Sequence, residues 1–431
     1  MTAPAMSMSN TYDVVVIGGG PAGATAATLL AQHGLHVALF EREEFPRFHV
    51  GESLLPALLP VFDRLGCHAA IRANGFLVKP GASFYDEHEG RGRSTFMFQS
   101  NAVHPAFAYN VMRAPFDALL LQHAASAGVA VYHQHHVRHP HITAEHATVE
   151  VQTPKGTTQT VQARVLVDAS GRSALLGGAV GTREPLPDLG KVAIFAHYQG
   201  MQRDPEVPDG NIRIHLVQDG WIWWIPLADG LDSVGCVLHP NVVQDRGGSV
   251  ATLFESVLAT SPRLTAGLAQ AQRVTPVHTA ANFSYRVVPV VGDRYLALGD
   301  ATGFVDPIFS SGVFIAMRSA EMAAEVVVQA FQRQNFRAEV FQPYATRLAR
   351  GFPPFLALIR CFYEPAFLDL FLSAHPPKHL YQAVLWVLSG AAFDHQPFWF
   401  RCRLTMFFAA IRLRQAIRWT TGLPTASRWL W

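Results

Sequence analysis

The sequence predicts an α/β protein with a three-layer, Rossmann-like domain, an inserted antiparallel β sheet and a helical C-terminal region. Three observations support this prediction. An apolar run at 14–17 leads at once into a glycine cluster and a helix-like stretch. Residues 190–240 contain successive strand-like runs broken by Gly and Asp. Residues 336–431 are rich in Phe, Trp, Leu and Arg, with arginines spaced as on a helix.

Length and composition indicate what type of protein this is. The 431 residues exceed one ordinary core, and 49% hydrophobic with 15% charged residues indicates a well-buried globular protein. The net charge of +2 gives no reason to expect nucleic acid as a partner. The cysteines are far apart, which favours a reducing compartment. Neither a signal peptide nor an 18-residue apolar run is found, so we expect a cytoplasmic protein.

The first strand and the glycines after it predict a dinucleotide site. Gly18 permits a tight turn, Gly20 lets a pyrophosphate approach the backbone, and Gly23 lets helix and strand pack closely. The helix starting at Ala22 presents free N–H groups and a positive dipole end to the phosphates. A second strand at 37–40 ends at Glu41, near the expected place of the ribose-binding carboxylate.

Helix-like stretches at 54–65 and 249–271 and further strand-like runs predict a nucleotide-binding domain assembled from separated segments. That domain comprises 1–75, 113–185 and 276–335. A substrate domain contributes strands from 76–112 and a β sheet from 186–275, and 336–431 forms the helical C-terminal region.

Three later motifs select the nucleotide. Arg113 begins a helix, Asp168 ends a strand within Asp-Ala-Ser-Gly-Arg, and Gly299-Asp300 ends another strand just before a helix. An acid at a strand end can accept a hydrogen bond from a ribityl hydroxyl. Together with the N-terminal glycines, these motifs resemble the FAD-binding fold of the aromatic-hydroxylase superfamily over roughly residues 13–330.

Four further segments narrow the resemblance. They are Gly51-Glu52-Ser53-Leu54-Leu55-Pro56, the lysine within 77–81, W-x-W-x-I-P at 221–226, and F-x-x-P-x-x-S-x-G at 304–312. Found in this order, they resemble the flavin-dependent halogenases. The resemblance implies that FADH2 from a separate NAD(P)H flavin reductase reacts with O2 to give a flavin hydroperoxide. Chloride or bromide then attacks it, giving hypohalous acid.

The resemblance also implies roles for particular residues. FAD-binding positions are Gly18, Gly20, Ala22, Gly23, Glu41, Arg42, Ser53, Arg113, Asp168, Gly299, Asp300, Pro307 and Gly312. The halide would lie at Ser310, Ser311 and Gly312, where a helix start offers backbone N–H groups. Alternatively, Ser-Ser-Gly is an ordinary helix N-cap. No residue is assigned to a metal.

The resemblance to the flavin-dependent halogenases implies a shielding role for the strand with W-x-W-x-I-P at 221–226. Trp221 and Trp223 alternate on one face, followed by Ile225 and Pro226, and Trp224 faces the other side. Bulky rings on the flavin side would keep water and substrate away from the oxidant. The alternative is that two tryptophans on one face are ordinary core.

Lys79 is the predicted reactive amine. The resemblance gives it the role of forming a haloamine, or of holding hypohalous acid by a hydrogen bond, for attack by an aromatic ring. An ammonium buried among Leu77, Val78 and Phe84 would have a lowered pKa, which makes the neutral amine accessible. The alternative is a surface lysine in a β-turn.

Two positions bear on the substrate and the base. The tryptophan-specific branch carries a glutamate where this chain has Phe309. We therefore expect a phenolic, pyrrolic or carrier-tethered aromatic substrate, with an acyl carrier protein as a possible partner. Glu52 is a candidate general base, and the alternative is a carboxylate at a helix N-terminus.

Other features have competing interpretations. The histidines between 133 and 146 lack the spacing of a metal site and suggest a solvated, pH-responsive surface. The basic aromatic tail at 398–431 favours a helical subdomain with outward arginines over contact with acidic lipid or a carrier protein.

Rival functions share the FAD fold. They are a flavin monooxygenase, a geranylgeranyl-reductase-like enzyme, and a catalytically silent FAD-binding partner. Neither rival enzyme class requires both Lys79 and the halide loop, the segment 304–312.

Overall fold

The computed structural model describes most of the chain. The described residues are 8–87, 92–99, 105–186, 189–246, 248–281, 284–372, 382, 385–387, 391–393 and 398–421. Its α-helices are α1 Pro21–Gln32, α2 Leu59–Leu65, α3 His68–Ala73, α4 Arg113–Ser126, α5 Leu175–Val180, α6 Pro240–Arg246, α7 Val250–Leu258, α8 Pro262–Leu268, α9 Ser311–Arg333, α10 Ala338–Phe362, α11 Pro365–Phe371 and α12 Phe398–Thr420.

The β-strands come from all parts of the chain up to Phe304. They are β1 Thr11–Ile17, β2 Val37–Phe40, β3 Leu77–Lys79, β4 Gly81–Asp86, β5 Gly92–Met97, β6 Ala108–Asn110, β7 Ala130–Tyr132, β8 His136–Ile142, β9 Ala147–Gln152, β10 Thr158–Asp168, β11 Thr182–Pro185, β12 Val192–Gln199, β13 Ile212–Val217, β14 Gly220–Pro226, β15 Leu231–Leu238, β16 Gln272–Arg273, β17 His278–Ala281, β18 Tyr285–Val288, β19 Val291–Gly292, β20 Tyr295–Ala297 and β21 Gly303–Phe304.

The first sheet is the centre of a three-layer arrangement. Its strand order is β19-β20-β10-β1-β2-β7, with β8 and β9 continuing as an antiparallel extension of β10. β1 runs parallel to both β2 and β10, and β10 runs parallel to β20. Val14 and Val16 pack with α1 and α9 on one face, while Val15 and Ile17 pack with β8–β10 on the other. Burial on both faces explains the continuous apolar run of β1.

The second sheet is mostly antiparallel, as expected. Its order is β16-β12-β15-β14-β13-β4-β5, with β17 also paired to β12, and only β13 and β4 run parallel along that path. Side chains of β14 alternate between two cores. Trp221 and Trp223 belong to the large core shared with the helices, whereas Ile222 and Trp224 pack towards α7 and α8.

Two predicted helices differ in the structure. The helix-like stretch 249–271 divides into α7 and α8, because the hydroxyl of Ser261 accepts from the N–H of Leu264 and Pro262 starts a new helix. The stretch at 54–65 begins with a 3-10 turn at Pro56–Leu58, and regular α-helix starts only at Leu59.

The helical C-terminal region begins with α10, which packs against α9 and the first sheet. The Tyr344 hydroxyl on α10 donates to the Ala297 carbonyl at 2.6 Å. On α12, Phe400 and Phe407 are buried. Not all the arginines point outward: Arg418 is only 4% exposed and pairs with the half-buried Asp369 at 2.7 Å. Within the described residues, the helices are too short or too polar to span a bilayer.

Candidate active site

A cavity of about 600 Å³ lies between the glycine loop, β14 and the start of α9. It gathers segments far apart in the sequence, including the chain from Phe48 to Ser53. The predicted site residues that line it are Gly18, Gly20, Ala22, Glu41, Arg42, Ser53, Arg113, Trp221, Trp223, Ile225, Asp300, Pro307, Ser310 and Gly312. Those that do not line it are Gly23, Lys79, Asp168, Pro226, Gly299 and Ser311.

The glycine loop has the backbone geometry that the sequence indicated. Gly18 adopts a φ of +104°, and its N–H donates to the Phe40 carbonyl at 2.8 Å. A Cβ placed on Gly23 would lie 1.9 Å from the Gly18 oxygen, so α1 can pack this closely only with glycine there. The N-cap of α1 is Gly20, which has no side chain, so the first N–H groups are available to a phosphate.

Glu41 supports this loop directly. Its Oε2 accepts from the N–H of Gly19 at 2.6 Å, and its Oε1 accepts from the N–H of Glu43 at 2.8 Å. The carboxylate is 5% exposed and lines the cavity. Each carboxylate oxygen has a second lone pair, so Glu41 retains the capacity to accept from a ribose hydroxyl.

Sequence reasoning missed Arg47, which also lines the cavity. A Cβ on Gly20 would lie 3.6 Å from its Nη2. Its Nε pairs with Glu43 at 3.0 Å. Its buried Nη1 makes no hydrogen bond within the described residues, although Asp117 lies 3.4 Å away. A guanidinium whose Nη2 lies beside the uncapped N–H groups of α1 fits a diphosphate, so this site has the chemistry to hold FAD.

Arg113 holds the loop that precedes Ser53 by a hydrogen bond to its backbone. It pairs with both oxygens of Asp117 at 2.9 Å, and its Nη1 donates to the Val50 carbonyl at 2.7 Å. Burial acts to lower the pKa of this guanidinium, but Asp117 more than offsets it and the pKa is raised. Arg113 therefore carries a fixed positive charge at the cavity wall.

The two predicted strand-end acids differ in position. The Asp168 carboxylate accepts from the N–H groups of Ser170 at 3.0 Å and Leu176 at 2.7 Å, so it fixes the turn after β10. Asp300 reaches the cavity, and burial raises its pKa to about 6 against the opposing effect of Arg113. Of the two acids, Asp300 is the one that can meet a ligand in the cavity.

The tryptophans of β14 form one wall. The ring centroids of Trp221 and Trp223 are 6.0 Å apart, and these side chains are 1% and 5% exposed. The Trp223 indole donates to the Ser233 hydroxyl at 3.1 Å. Trp224, on the opposite face, donates to Asp232 at 2.8 Å.

The start of α9 is open towards the cavity. A 3-10 turn at Pro307–Phe309 leads to Ser310, whose φ of +56° is unusual for a non-glycine residue. The Ser310 side chain makes no capping hydrogen bond within the described part of the chain, which argues against a simple N-cap. The Ser310 N–H already donates to the Pro307 carbonyl at 3.0 Å, so the free N–H groups of this 23-residue helix begin at Ser311. Ser310 and Gly312 line the cavity. Such an arrangement can bind an anion.

Lys79 is buried, contrary to the alternative of a surface lysine. It is 2% exposed, and its Nζ donates to the Leu54 carbonyl at 3.0 Å and lies 5.7 Å from the Phe98 ring centroid. Of the neighbours that we named, Val78 is 48% exposed, whereas Phe84 is buried. Desolvation lowers the pKa of this amine to about 7.

The segment that carries Lys79 is tied to the cavity wall. β3 pairs with β6, Ser53 forms a bridge with Asn110, and the Asn110 amide donates to the Pro226 carbonyl at 2.9 Å. Leu54, whose carbonyl holds the amine, follows the cavity residue Ser53. The amine therefore lies directly behind a segment shared with the cavity.

A second buried lysine was not foreseen. Lys191 is 2% exposed, and its Nζ lies 4.9 Å from the ring centroid of Tyr363. Its charge also lowers the pKa of Asp306, although burial has the larger effect and raises that pKa to about 6. This lysine follows a loop whose sequence gives no sign of burial.

Glu52 has a partner that no local pattern revealed. Its Oε1 lies 2.7 Å from Nε2 of His197, and both side chains are buried. The 3-10 turn that follows has no side-chain cap, so the interpretation of Glu52 as a helix N-terminal carboxylate is wrong. Glu52 lines the cavity and His197 lies behind it on β12.

The histidine-rich stretch divides between two surroundings. His135 and His136 line the cavity near its β8 side, while the exposed His139 pairs with Glu150 at 2.8 Å. Among the described residues, no three His, Cys, Asp or Glu side chains converge as they would around a metal ion.

Comparison with known proteins identifies the family. Residues 11–332 match the family described as "FAD binding domain". A 1H-pyrrole-2-carbonyl-(peptidyl-carrier protein) chlorinase of Pseudomonas fluorescens is 31% identical over 407 residues, covering 89% of this chain and 90% of that protein. This chain belongs to the flavin-dependent halogenases. It is thus an FAD-dependent oxidoreductase that uses a halide.

Two further halogenating enzymes agree with this assignment, and a flavoprotein shares the fold. A 1H-pyrrole-2-carbonyl-(peptidyl-carrier protein) brominase of Pseudoalteromonas luteoviolacea is 31% identical over 396 residues, with 90% of this chain and 94% of that protein covered. A solved flavin-dependent brominase superposes with a TM-score of 0.82 at 30% identity, covering 93% of this chain and 99% of that one. A flavoprotein/dehydrogenase from Cytophaga hutchinsonii gives a TM-score of 0.87 at 26% identity, covering 95% and 100%.

Proposed function

We propose that this halogenase transfers an oxidised halogen to an electron-rich aromatic ring, with Lys79 as the residue that delivers it. The observation that carries the proposal is the burial of Lys79. Its ammonium donates to a backbone carbonyl, and no carboxylate of the described residues forms an ion pair with it. A cation buried without a counter-ion costs stability unless the protein uses its neutral form.

The halide would bind at the start of α9. Bound FAD, reduced by a separate NAD(P)H flavin reductase, would supply with O2 the oxidising equivalents that convert halide and a proton into hypohalous acid. The uncapped N–H groups of Ser311 and Gly312, beside Ser310, would hold the halide. Trp221 and Trp223, beside that cavity, would exclude water and the aromatic substrate from the oxidant.

Lys79 would then hold or accept the halogen. In the covalent form of this step, the neutral amine attacks hypohalous acid, an N–halogen bond forms, and water leaves. The aromatic ring next attacks the halogen, a carbon–halogen bond forms, and the ring proton returns to the amine nitrogen. In the other form, the amine holds hypohalous acid by a hydrogen bond. A pKa of about 7 makes both protonation states available.

The substrate that best fits is a pyrrole-type acyl group on a carrier protein. Support comes from the names of the two pyrrole-carrier-protein halogenases, each covered over most of its length. Phe309 adds to this, because it is buried against Phe362 and places no carboxylate in the halide loop.

The test is turnover with FAD, a flavin reductase, NADH, O2 and either chloride or bromide. Pyrrole-2-carboxyl groups are supplied free and on a carrier protein, and a free phenol serves as a third substrate. We expect the carrier-bound pyrrole to gain the halogen isotope pattern. A hydroxylated product without halogen would instead support the monooxygenase alternative. Halogenation of the free phenol alone would remove the carrier from the proposal.

A further inference from the structure

Three buried side chains connect the tryptophan wall to the halide loop. The Trp221 indole N–H donates to the Tyr363 hydroxyl at 3.0 Å, and that hydroxyl donates to Oδ2 of Asp306 at 2.7 Å. Each of these three residues is 1% exposed. They come from β14, the C-terminal end of α10 and the loop before α9, so the connection joins three separate segments of the chain.

The direction of these hydrogen bonds is fixed. An indole N–H can only donate, so the tyrosine oxygen must accept from it. The tyrosine's one proton is then directed to the Asp306 carboxylate. The Lys191 ammonium also contacts the Tyr363 side chain, because its Nζ lies over the ring at 4.9 Å from the ring centroid. The tyrosine thus has a defined orientation with both of its polar functions in use.

Asp306 transmits this orientation to the halide loop. Its Oδ1 accepts from the N–H of Ile308 at 2.9 Å and so caps the turn Pro307–Phe309. The next residue, Ser310, has a left-handed conformation and no side-chain cap within the described residues. A non-glycine residue keeps such a conformation only when its surroundings hold it. Asp306 and its partner Tyr363 are therefore part of what holds it.

We propose that Tyr363 is a positioning residue that fixes the halide-binding N–H groups of α9 through Asp306, and that it couples them to the tryptophan wall through Trp221. The inference rests on the proposed halide site. Neither Tyr363 nor Asp306 lines the cavity, so this function differs from contact with FAD. Loss of the tyrosine hydroxyl should weaken halide binding and leave FAD binding unchanged.

The decisive variant is Tyr363→Phe, which keeps the ring and removes both hydrogen bonds. The control is Tyr132→Phe, because the Tyr132 hydroxyl also makes a buried hydrogen bond, to Tyr12 at 2.9 Å, in the core on the other face of the first sheet. The FAD-loaded proteins are titrated with bromide, without reductant, and flavin fluorescence is recorded. The halide KM, the kcat and the Kd for FAD are measured in parallel.

We expect Tyr363→Phe to raise the bromide Kd and KM about tenfold, with kcat within about threefold and the FAD Kd unchanged. Tyr132→Phe should leave all four values near those of the wild type. Asp306→Asn should also weaken bromide binding, and combining it with Tyr363→Phe should add little, because both act through one contact. Asp306→Asn carries the test if Tyr363→Phe does not fold.

The outcomes separate this inference from the function on which it rests. Equal bromide affinity in the wild type and Tyr363→Phe overturns the positioning role, while the halide site stands. Additive effects of the two substitutions would also contradict it. If the wild-type protein itself shows neither a bromide response nor halide-dependent turnover, the proposed halide site fails.

Discussion

The two buried lysines of this halogenase lie in different electrostatic surroundings. Lys79 faces a backbone carbonyl and an aromatic ring, whereas Lys191 lies over the ring of Tyr363 and interacts with Asp306. The two amines are equally buried, but their charges therefore have opposite effects on stability. The charge of Lys191 stabilises a buried carboxylate, while the charge of Lys79 has no such use and its pKa is lowered to about 7. This difference supports the proposed reactive role of Lys79 and favours a structural function for Lys191.

The largest expected difference is in turnover. We expect Lys79→Met to reduce aromatic halogenation by at least roughly a hundredfold, because methionine has no amine to hold or accept the halogen. Lys191→Met should reduce it by less than about tenfold, through disturbance of Asp306 alone. Product formation is measured by isotope pattern, with FAD binding as the control for folding. An active Lys79→Met together with an inactive Lys191→Met would reverse the assignment.

The same pair should change stability in opposite directions. At pH 7 we expect Lys79→Met to raise the free energy of unfolding of the FAD-free protein by about 4 kcal/mol, since it removes an uncompensated buried amine. Lys191→Met should lower it by about 1–3 kcal/mol, since it leaves Asp306 without that charge. Urea unfolding followed by circular dichroism measures both. A destabilised Lys79→Met would mean that Lys79 has a counter-ion in solution.

The sign of the pH dependence sharpens this test. The pKa of Lys79 is about 7 in the folded protein and 10.5 as the ordinary value. Between these pH values the unfolded chain binds a proton that the folded chain does not, so unfolding becomes less favourable as pH rises. The wild type should therefore gain stability from pH 7 towards pH 10 relative to Lys79→Met. Parallel curves for the two proteins would contradict the lowered pKa.

The pH profile of turnover distinguishes the two forms of the delivery step. If the neutral amine attacks hypohalous acid, kcat for halogenation should rise about tenfold per pH unit below 7 and level off above it. We expect this profile, measured with saturating halide and substrate. A profile that falls above pH 7 would instead indicate that the ammonium holds hypohalous acid by a hydrogen bond.

The smallest expected effect concerns the ring beside Lys79. Phe98→Leu removes an aromatic face that favours the ammonium, so the pKa of Lys79 should fall by less than about half a pH unit. The acid limb of the turnover profile should move to lower pH by that amount. Movement to higher pH would show that Phe98 acts mainly by excluding water.

Local sequence predicted the elements whose signals are local. β1, α1 and β2 follow from an apolar run, three glycines and a second apolar run, and their positions agree within a few residues. The alternation of Trp221 and Trp223 against Trp224 likewise gave the two faces of β14. Helix boundaries were less accurate, because Ser261 and Pro262 form a cap that interrupts an otherwise helical pattern.

The contacts that define the site's electrostatics were not predictable in this way. Glu52 and His197 are 145 positions apart, and Tyr363 lies 57 positions from Asp306. Such pairs depend on how distant elements pack, and one sequence has no periodicity that records them. The burial of Lys79 was foreseen, but the groups around it were not, since Phe98 and Leu54 rather than Val78 enclose it.

The most direct test of the account is the fate of the oxidised halide in Lys79→Met. Turnover is run with bromide, an aromatic substrate and a soluble scavenger that reports free hypobromous acid. We predict that the variant still brominates the scavenger in an FAD- and bromide-dependent manner while the aromatic substrate remains unmodified. Bromination of the substrate at the wild-type rate by Lys79→Met would contradict delivery through this buried amine.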